Sequence, residues 1–277
     1  MGKKYEIPLL KDHHTHTSIY ASLSNCIDLS AVRDKKKALS LMKKSTDEIT
    51  VILGWNSSFF YFEDEELYCL PPVVICNISF HDFLINNPAR ERGILIYSNE
   101  KLFHTLAQLS TLNKPIAIHA VGDLATDQII KILSDIQKIE GCIPQIRIEH
   151  SQFISKESAE TAKSLGIVLS MQPNFNNDSI QYEDRLSAKY CKYNNPFRML
   201  IDEVGYVPGE DLIFGSDGMP HGAQYALEQS LFPRYADQAL MLEEFIAGYC
   251  MPDQKNGYIK IEIDEKEKNI KTEIVSN

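Results

Sequence analysis

Short apolar runs rich in β-branched residues recur along the chain and alternate with longer stretches of helical period, which points to repeated βα units around a parallel sheet. The predicted strands cover residues 7–10, 49–53, 73–75, 116–118, 146–148, 167–170 and 212–214, and residues 93–97 are either an eighth strand or a lead-in to a helix. Predicted helices fall at 31–44, 100–112, 124–139, 156–165, 225–231 and 238–249. At 277 residues the chain accommodates one α/β barrel, and no Gly-, Pro- or Ser-rich linker divides it. The barrel is assigned to residues 1–250. Residues 258–263 alternate strictly and 270–275 less cleanly, around a charged turn, so residues 251–277 read as an appended amphipathic β-hairpin. Its apolar face needs a cover, either the barrel floor or a second copy in a homodimer.

The formal charge of -10, with no compensating basic stripe, argues against nucleic acid or an anionic membrane as the main partner. Lys35, Lys36, Lys37, Lys43 and Lys44 read as the solvated face of a helix. Six scattered cysteines without a Cys-x-x-Cys pair suggest a reduced, cytoplasmic setting. No apolar h-region follows Met1, and no later run reaches the ~18 apolar residues of a membrane span.

Five of the apolar runs end in polar groups of the same kind. The first runs into Asp12-His13-His14-Thr15-His16, where residues two apart face the same way, so His14 and His16 can aim two imidazoles at one point. His13, between them, should point away. The others end in His119 with Gly122 and Asp123, in Glu149-His150-Ser151, in Gln172-Pro173-Asn174 and in Gly215-Ser216-Asp217. In a parallel barrel every strand ends at the same rim, so groups far apart in sequence converge there.

These motifs, in this order, resemble those of the metal-dependent amidohydrolases, and among them the amidohydrolase family 3, or YtcJ-like, branch. The similarity runs from about Pro8 to Cys250 and takes in Gly54-Trp55-Asn56, the run from Pro72 to His81, and Asn86 to Ala89. The resemblance implies a (β/α)8 TIM-like barrel whose metal, usually zinc, activates water. It implies His14 and His16 as first-strand ligands, His119 as the fifth-strand ligand, and His150 as either a sixth-strand ligand or a substrate and proton-transfer residue. Asp217 would contact the metal or its water and shuttle the proton.

Two departures from that pattern stand out. Members of this branch are commonly longer, with a small β-sandwich built from both termini, whereas here the first predicted strand begins almost at Met1. The segment for a fourth-strand lysine that bridges two metals is missing between Ala89 and Gly93, so a mononuclear site, one zinc per chain, is expected in a barrel incomplete near strand 4. His81, Trp55, Gln172 and Asn174 are candidates for contacting a small-molecule substrate from the rim, although Trp55 is as readily core packing. Asp123 reads as a cap of the helix that follows.

The expected activity is hydrolysis of a C-N bond in a small amide, formamide or cyclic imide. The alternative from another class is a catalytically inactive barrel paralogue serving as a binding or assembly subunit, motivated by the missing segment. A phosphoesterase on a similar barrel is the weaker third reading.

Overall fold

A computed structural model of the chain describes residues 2–15, 27–29, 32–44, 50–53, 73–76, 95–111, 114–218 and 222–276. The chain divides into two units, Met1–Thr15 with Phe80–Asn277, and His16–Ser79. The described strands are β1 (Lys3–Pro8), β2 (Ile27–Asp28), β3 (Thr50–Leu53), β4 (Val73–Cys76), β5 (Ile116–Ala120), β6 (Ile146–His150), β7 (Val168–Met171), β8 (Leu212–Phe214), β9 (Tyr258–Asp264) and β10 (Asn269–Val275). The described α-helices are α1 (Lys35–Met42), α2 (Asn99–Ser110), α3 (Asp123–Glu140), α4 (Lys156–Ser164), α5 (Asp178–Gln181), α6 (Ala188–Tyr193), α7 (Ala223–Leu231) and α8 (Leu242–Tyr249).

In the smaller unit β2, β3 and β4 form a parallel sheet in sequence order. In the larger unit β5, β6, β7 and β8 form a four-stranded parallel sheet, also in sequence order. The protein is therefore mixed α/β, with βα connections of the expected kind. Helix α3 shows how sequence dictates the layer. Thr126, Ile129, Ile130, Leu133 and Ile136 recur at helical spacing and are buried on one face. The helix stops at Gly141, which adopts the left-handed conformation (φ 75°) that glycine takes without steric cost. Burying a side chain such as Leu133, which is fully enclosed, stabilises the fold by about 1.5–3 kcal/mol.

The first predicted strand needs correction. Residues 3–8 do not form a barrel strand; β1 pairs antiparallel with β9, and β9 with β10, in a sheet of order β1-β9-β10 built from both ends of the chain. Pro8 is the last paired residue of β1 and has no N–H to carry the ladder on. Residues 9–11 then attach elsewhere, through Lys11 N to Tyr249 O (2.7 Å) and Met251 N to Leu9 O (2.8 Å). The expected hairpin is present, and its apolar face is covered within the chain. Ile259, Ile261, Ile263 and Ile270 join Ile7 in the same buried core as the four-stranded sheet, and β10 packs on α7.

Other expectations shift for local reasons. The helix expected at 31–44 starts at Lys35 because the Asp34 side chain accepts from Lys37 N (2.8 Å) and caps it. Residues 95–97 form no strand; Ser98 caps α2 instead, and residues 93 and 94 lie outside the described residues. The helix expected at 238–249 breaks into a 3-10 turn, Ala236–Gln238, and α8. The cause is Gln238, which is buried and donates its amide to Ser179 Oγ (2.8 Å) and to Asn194 O (2.7 Å). Among the described residues no helix is long and apolar enough to cross a membrane, and Cys142, Cys191 and Cys250 are free thiols.

Candidate metal centre

Three strand ends and the segment after β1 bring the chemistry together. Residues 12–14 run beside the end of β8 in the parallel sense: His13 N donates to Phe214 O (3.2 Å) and Asp217 N to His14 O (2.7 Å). Asp12 fastens this contact, since its carboxylate accepts from Ser216 N (2.8 Å) and from the Ser216 hydroxyl. Gly215 allows it. A Cβ on that residue would lie 2.4 Å from His14 N and 2.8 Å from His14 Cβ. β5 and β6 are in register with His119 opposite Glu149 and Ala120 opposite His150, so both histidines reach the same end of the sheet.

The resulting cluster holds His14, His150 and Asp217, whose ligand atoms all lie within 4.8 Å of one another. His14 Nε2 is 3.1 Å from Asp217 Oδ1, and the rings of His14 and His150 have centroids 4.9 Å apart. His119 stands edge-on to His150 with centroids 4.6 Å apart, beside the cluster rather than within its three-atom group. Phe175 stacks parallel on His150, at 6.3 Å and 11°. Three non-glycine residues here are left-handed: His150, Ser151 and Asp217 have φ of 73°, 49° and 55°, a region that few non-glycine residues adopt, although His and Asp enter it more readily than most.

Burial and charge set the two imidazoles apart. Burial opposes a charge on His14, but its hydrogen bonds to Asp217 and Glu149, with their negative charges, outweigh that and lift its pKa to about 9. Burial drives His150 down to about 4, against the pull of Asp217 and with the help of His119 and His14. Burial would raise the Glu149 carboxyl, yet the hydrogen bond from His14 and the charges of His14 and Arg147 hold it below its usual range. A neutral, buried imidazole next to a second imidazole and a carboxylate is the donor set that first-row divalent ions prefer. The residues present fit such an ion.

His16, Trp55 and His81 lie outside the described residues. His13 sits half-buried off the cluster, held through its backbone to Phe214. Gln172 is buried, and its carbonyl Oε1 is 2.7 Å from His150 Nδ1, so in this structure it orients a histidine. Asn174 is buried in the 3-10 turn Pro173–Asn177. Asp123 is the first residue of α3; it accepts from Leu124 N (2.8 Å) and from the Tyr190 hydroxyl (2.5 Å). The sequence reading did not single out Glu149, whose Oε2 is 2.6 Å from His14 Nδ1 while Arg147 Nε donates to Oε1. A charged residue one position before a strand-end histidine was the available signal, but alternation would have turned it outward.

Fold and cluster together define the class: a mixed α/β protein with a parallel sheet and a His/Asp group that could hold a metal ion. Residues 77–225, just over half of the chain, match the sequence profile described as the amidohydrolase family, and the chain belongs to that family. Its fold is similar to those of two uncharacterised metal-dependent hydrolases. The one from Pyrococcus horikoshii OT3 shows 14% identity and a TM-score of 0.57, over 82% of this chain and 74% of that one. The one from Pyrococcus furiosus shows 12% identity and a TM-score of 0.59, over 88% and 80%. A stretch of 96 residues is 31% identical to the Arabidopsis thaliana protein LONG AFTER FAR-RED 3, spanning 34% of this chain but only 16% of that protein.

Proposed function

We propose that this protein is a hydrolase that cleaves a C-N bond in a small amide, formamide or cyclic imide, with one divalent ion per chain, zinc in the simplest case. The observation that carries the reading is the convergence of His14, His150 and Asp217, from three separate stretches of the chain, within 4.8 Å. We assign His14, His16, His119 and His150, with Asp217, to holding the ion, in a (β/α)8 TIM-like barrel incomplete near strand 4. A bound cation supplies Lewis acidity: it polarises the scissile carbonyl and makes water a nucleophile near neutral pH.

The chain's own groups do the rest. His14 and His150, each tied at Nδ1, present Nε2 to the site. The Asp217 carboxylate takes the proton of the attacking water and returns it to the leaving nitrogen. We assign His81, Trp55, Gln172 and Asn174 to contacting the substrate.

The test is metal content per chain by elemental analysis, on the wild type and on a His14→Ala, His16→Ala double variant, followed by a screen of amides and formamides. About one ion per wild-type chain, lost in the variant, with metal-dependent amide turnover, supports the reading. Two ions would mean an unrecognised bridging ligand. Metal without turnover on any amide would favour the non-catalytic binding subunit, and cleavage of an aryl phosphate alone would favour the phosphoesterase.

A further inference from the structure

A histidine that ligates a metal through one nitrogen needs the other committed elsewhere, because that second bond fixes both the tautomer and the plane of the ring. Both cluster histidines are committed in this way, to partners of different charge. His150 Nδ1 faces Gln172 Oε1 at 2.7 Å, and the Gln172 amide is oriented by donation from its Nε2 to Ser170 O at 3.2 Å, so Oε1 is the acceptor. His14 Nδ1 faces Glu149 Oε2 at 2.6 Å. A carboxylate only accepts, so Nδ1 carries a hydrogen toward Glu149, and Nε2, which lies 3.1 Å from Asp217 Oδ1, is the nitrogen that a bound ion would engage in place of its proton.

Glu149 reaches His14 because β6 breaks its own alternation. Residues 149 and 150 are strand neighbours and should face opposite ways, but the left-handed turn at His150 and Ser151 brings the His150 ring back to the side on which Glu149 already bonds His14. Arg147, two residues earlier on the same face, donates Nε to the remaining Glu149 oxygen and so holds the carboxylate from behind. Glu149 is 4% exposed and Arg147 extends from it toward solvent.

We propose that Glu149 is the positioning residue of the metal centre, fixing the His14 tautomer and ring plane so that Nε2 and Asp217 Oδ1 face one divalent ion, with Arg147 bracing Glu149. This rests on the metal reading above. The experiment measures the zinc dissociation constant by chelator competition and the visible spectrum of the Co(II)-loaded protein, for the wild type, Glu149→Gln and His14→Ala, with circular dichroism of each metal-free form. Glu149→Gln replaces the anionic partner by one like that of His150. It should keep the fold, weaken zinc binding about 10–100-fold and shift the Co(II) bands. Zinc affinity within twofold of wild type and an unchanged Co(II) spectrum would overturn the proposal.

If Glu149→Gln does not fold, Arg147→Met probes the same linkage from its outer end. About tenfold weaker binding is expected there, and unchanged affinity overturns the proposal equally. A wild type that binds no zinc refutes the metal reading itself. Zinc binding lost in His14→Ala but untouched in Glu149→Gln refutes only the role of Glu149.

Discussion

Replacing Gly215 by alanine should disconnect the cluster without replacing any of its ligands. The added Cβ would sit 2.4 Å from His14 N, 2.8 Å from His14 Cβ and 2.9 Å from Asp12 Oδ1. An ordinary contact needs about 3.5 Å, so residues 12–14 must retreat by roughly 1 Å, and the obstacle is backbone rather than a mobile side-chain tip. That retreat stretches the bonds from His13 N to Phe214 O, from Asp217 N to His14 O and from Ser216 N to Asp12 Oδ1, now 3.2, 2.7 and 2.8 Å. At about 0.5–1.5 kcal/mol each, losing them costs roughly 2–4 kcal/mol. Because His14 rides on the displaced segment, the same 1 Å should lower turnover by about 100-fold. Urea denaturation reads the first effect as a lower midpoint at unchanged slope, and kcat on a hydrolysed amide reads the second. A Gly215→Ala protein with the wild-type midpoint and kcat would show that this approach is neither tight nor needed.

Asp217→Asn should lower kcat by about 10²–10⁴-fold, the usual worth of a positioned acid-base group, while melting near wild type, because asparagine tolerates the left-handed backbone at this position as aspartate does (φ 55°); turnover that persisted would remove Asp217 from the mechanism. Burial pushes the Asp178 carboxyl up to about 7, so the folded state holds this proton where the unfolded chain, at about 3.9, has released it. Stability should therefore fall as pH rises from about 4 to about 7 and level off above. Asp178→Asn should gain about 1–2 kcal/mol over wild type at pH 8, allowing for solvent screening, and nothing at pH 3.5, by thermal melts at both; a wild-type pH slope in the variant refutes this. At Gly248 a Cβ would lie 2.5 Å from the buried Phe214 ring, so Gly248→Ala should lose about 1–3 kcal/mol to overpacking against about 1 kcal/mol of helix propensity gained. A higher melting temperature in that variant would show that the ring can yield.

The parallel strands β5 to β8 were legible because their interiors are apolar and β-branched, and those runs have few other homes. The members of the cluster were legible for the same reason, since each directly follows such a run. What alternation misread was local. Ile7 belongs to an apolar run, yet β1 found its partner in β9, a pairing that no pattern within the first ten residues could specify. Glu149 was hidden by a left-handed turn at a non-glycine residue, which has no composition signature. The short helices and the π-helix Met199–Val204 between β7 and β8 were missed because buried side-chain amides organise that stretch. Asn194, Asn195 and Gln238 donate to backbone carbonyls of distant residues there, and polar residues in a sequence look the same whether they satisfy a core or face water.

The sheet built from both ends also orders events during synthesis. Lys3 bonds Glu265, 262 residues further along the chain, and a ribosome adding about 5–20 residues per second needs roughly 13–50 s to make that stretch. For that interval β1 stays without its partner. Ile7, 1% exposed in the finished fold, spends the interval as an uncovered apolar side chain on an unpaired strand. Sealing this sheet therefore waits on a pairing across nearly the whole described stretch, and until β9 is made the apolar face of β1 lies open.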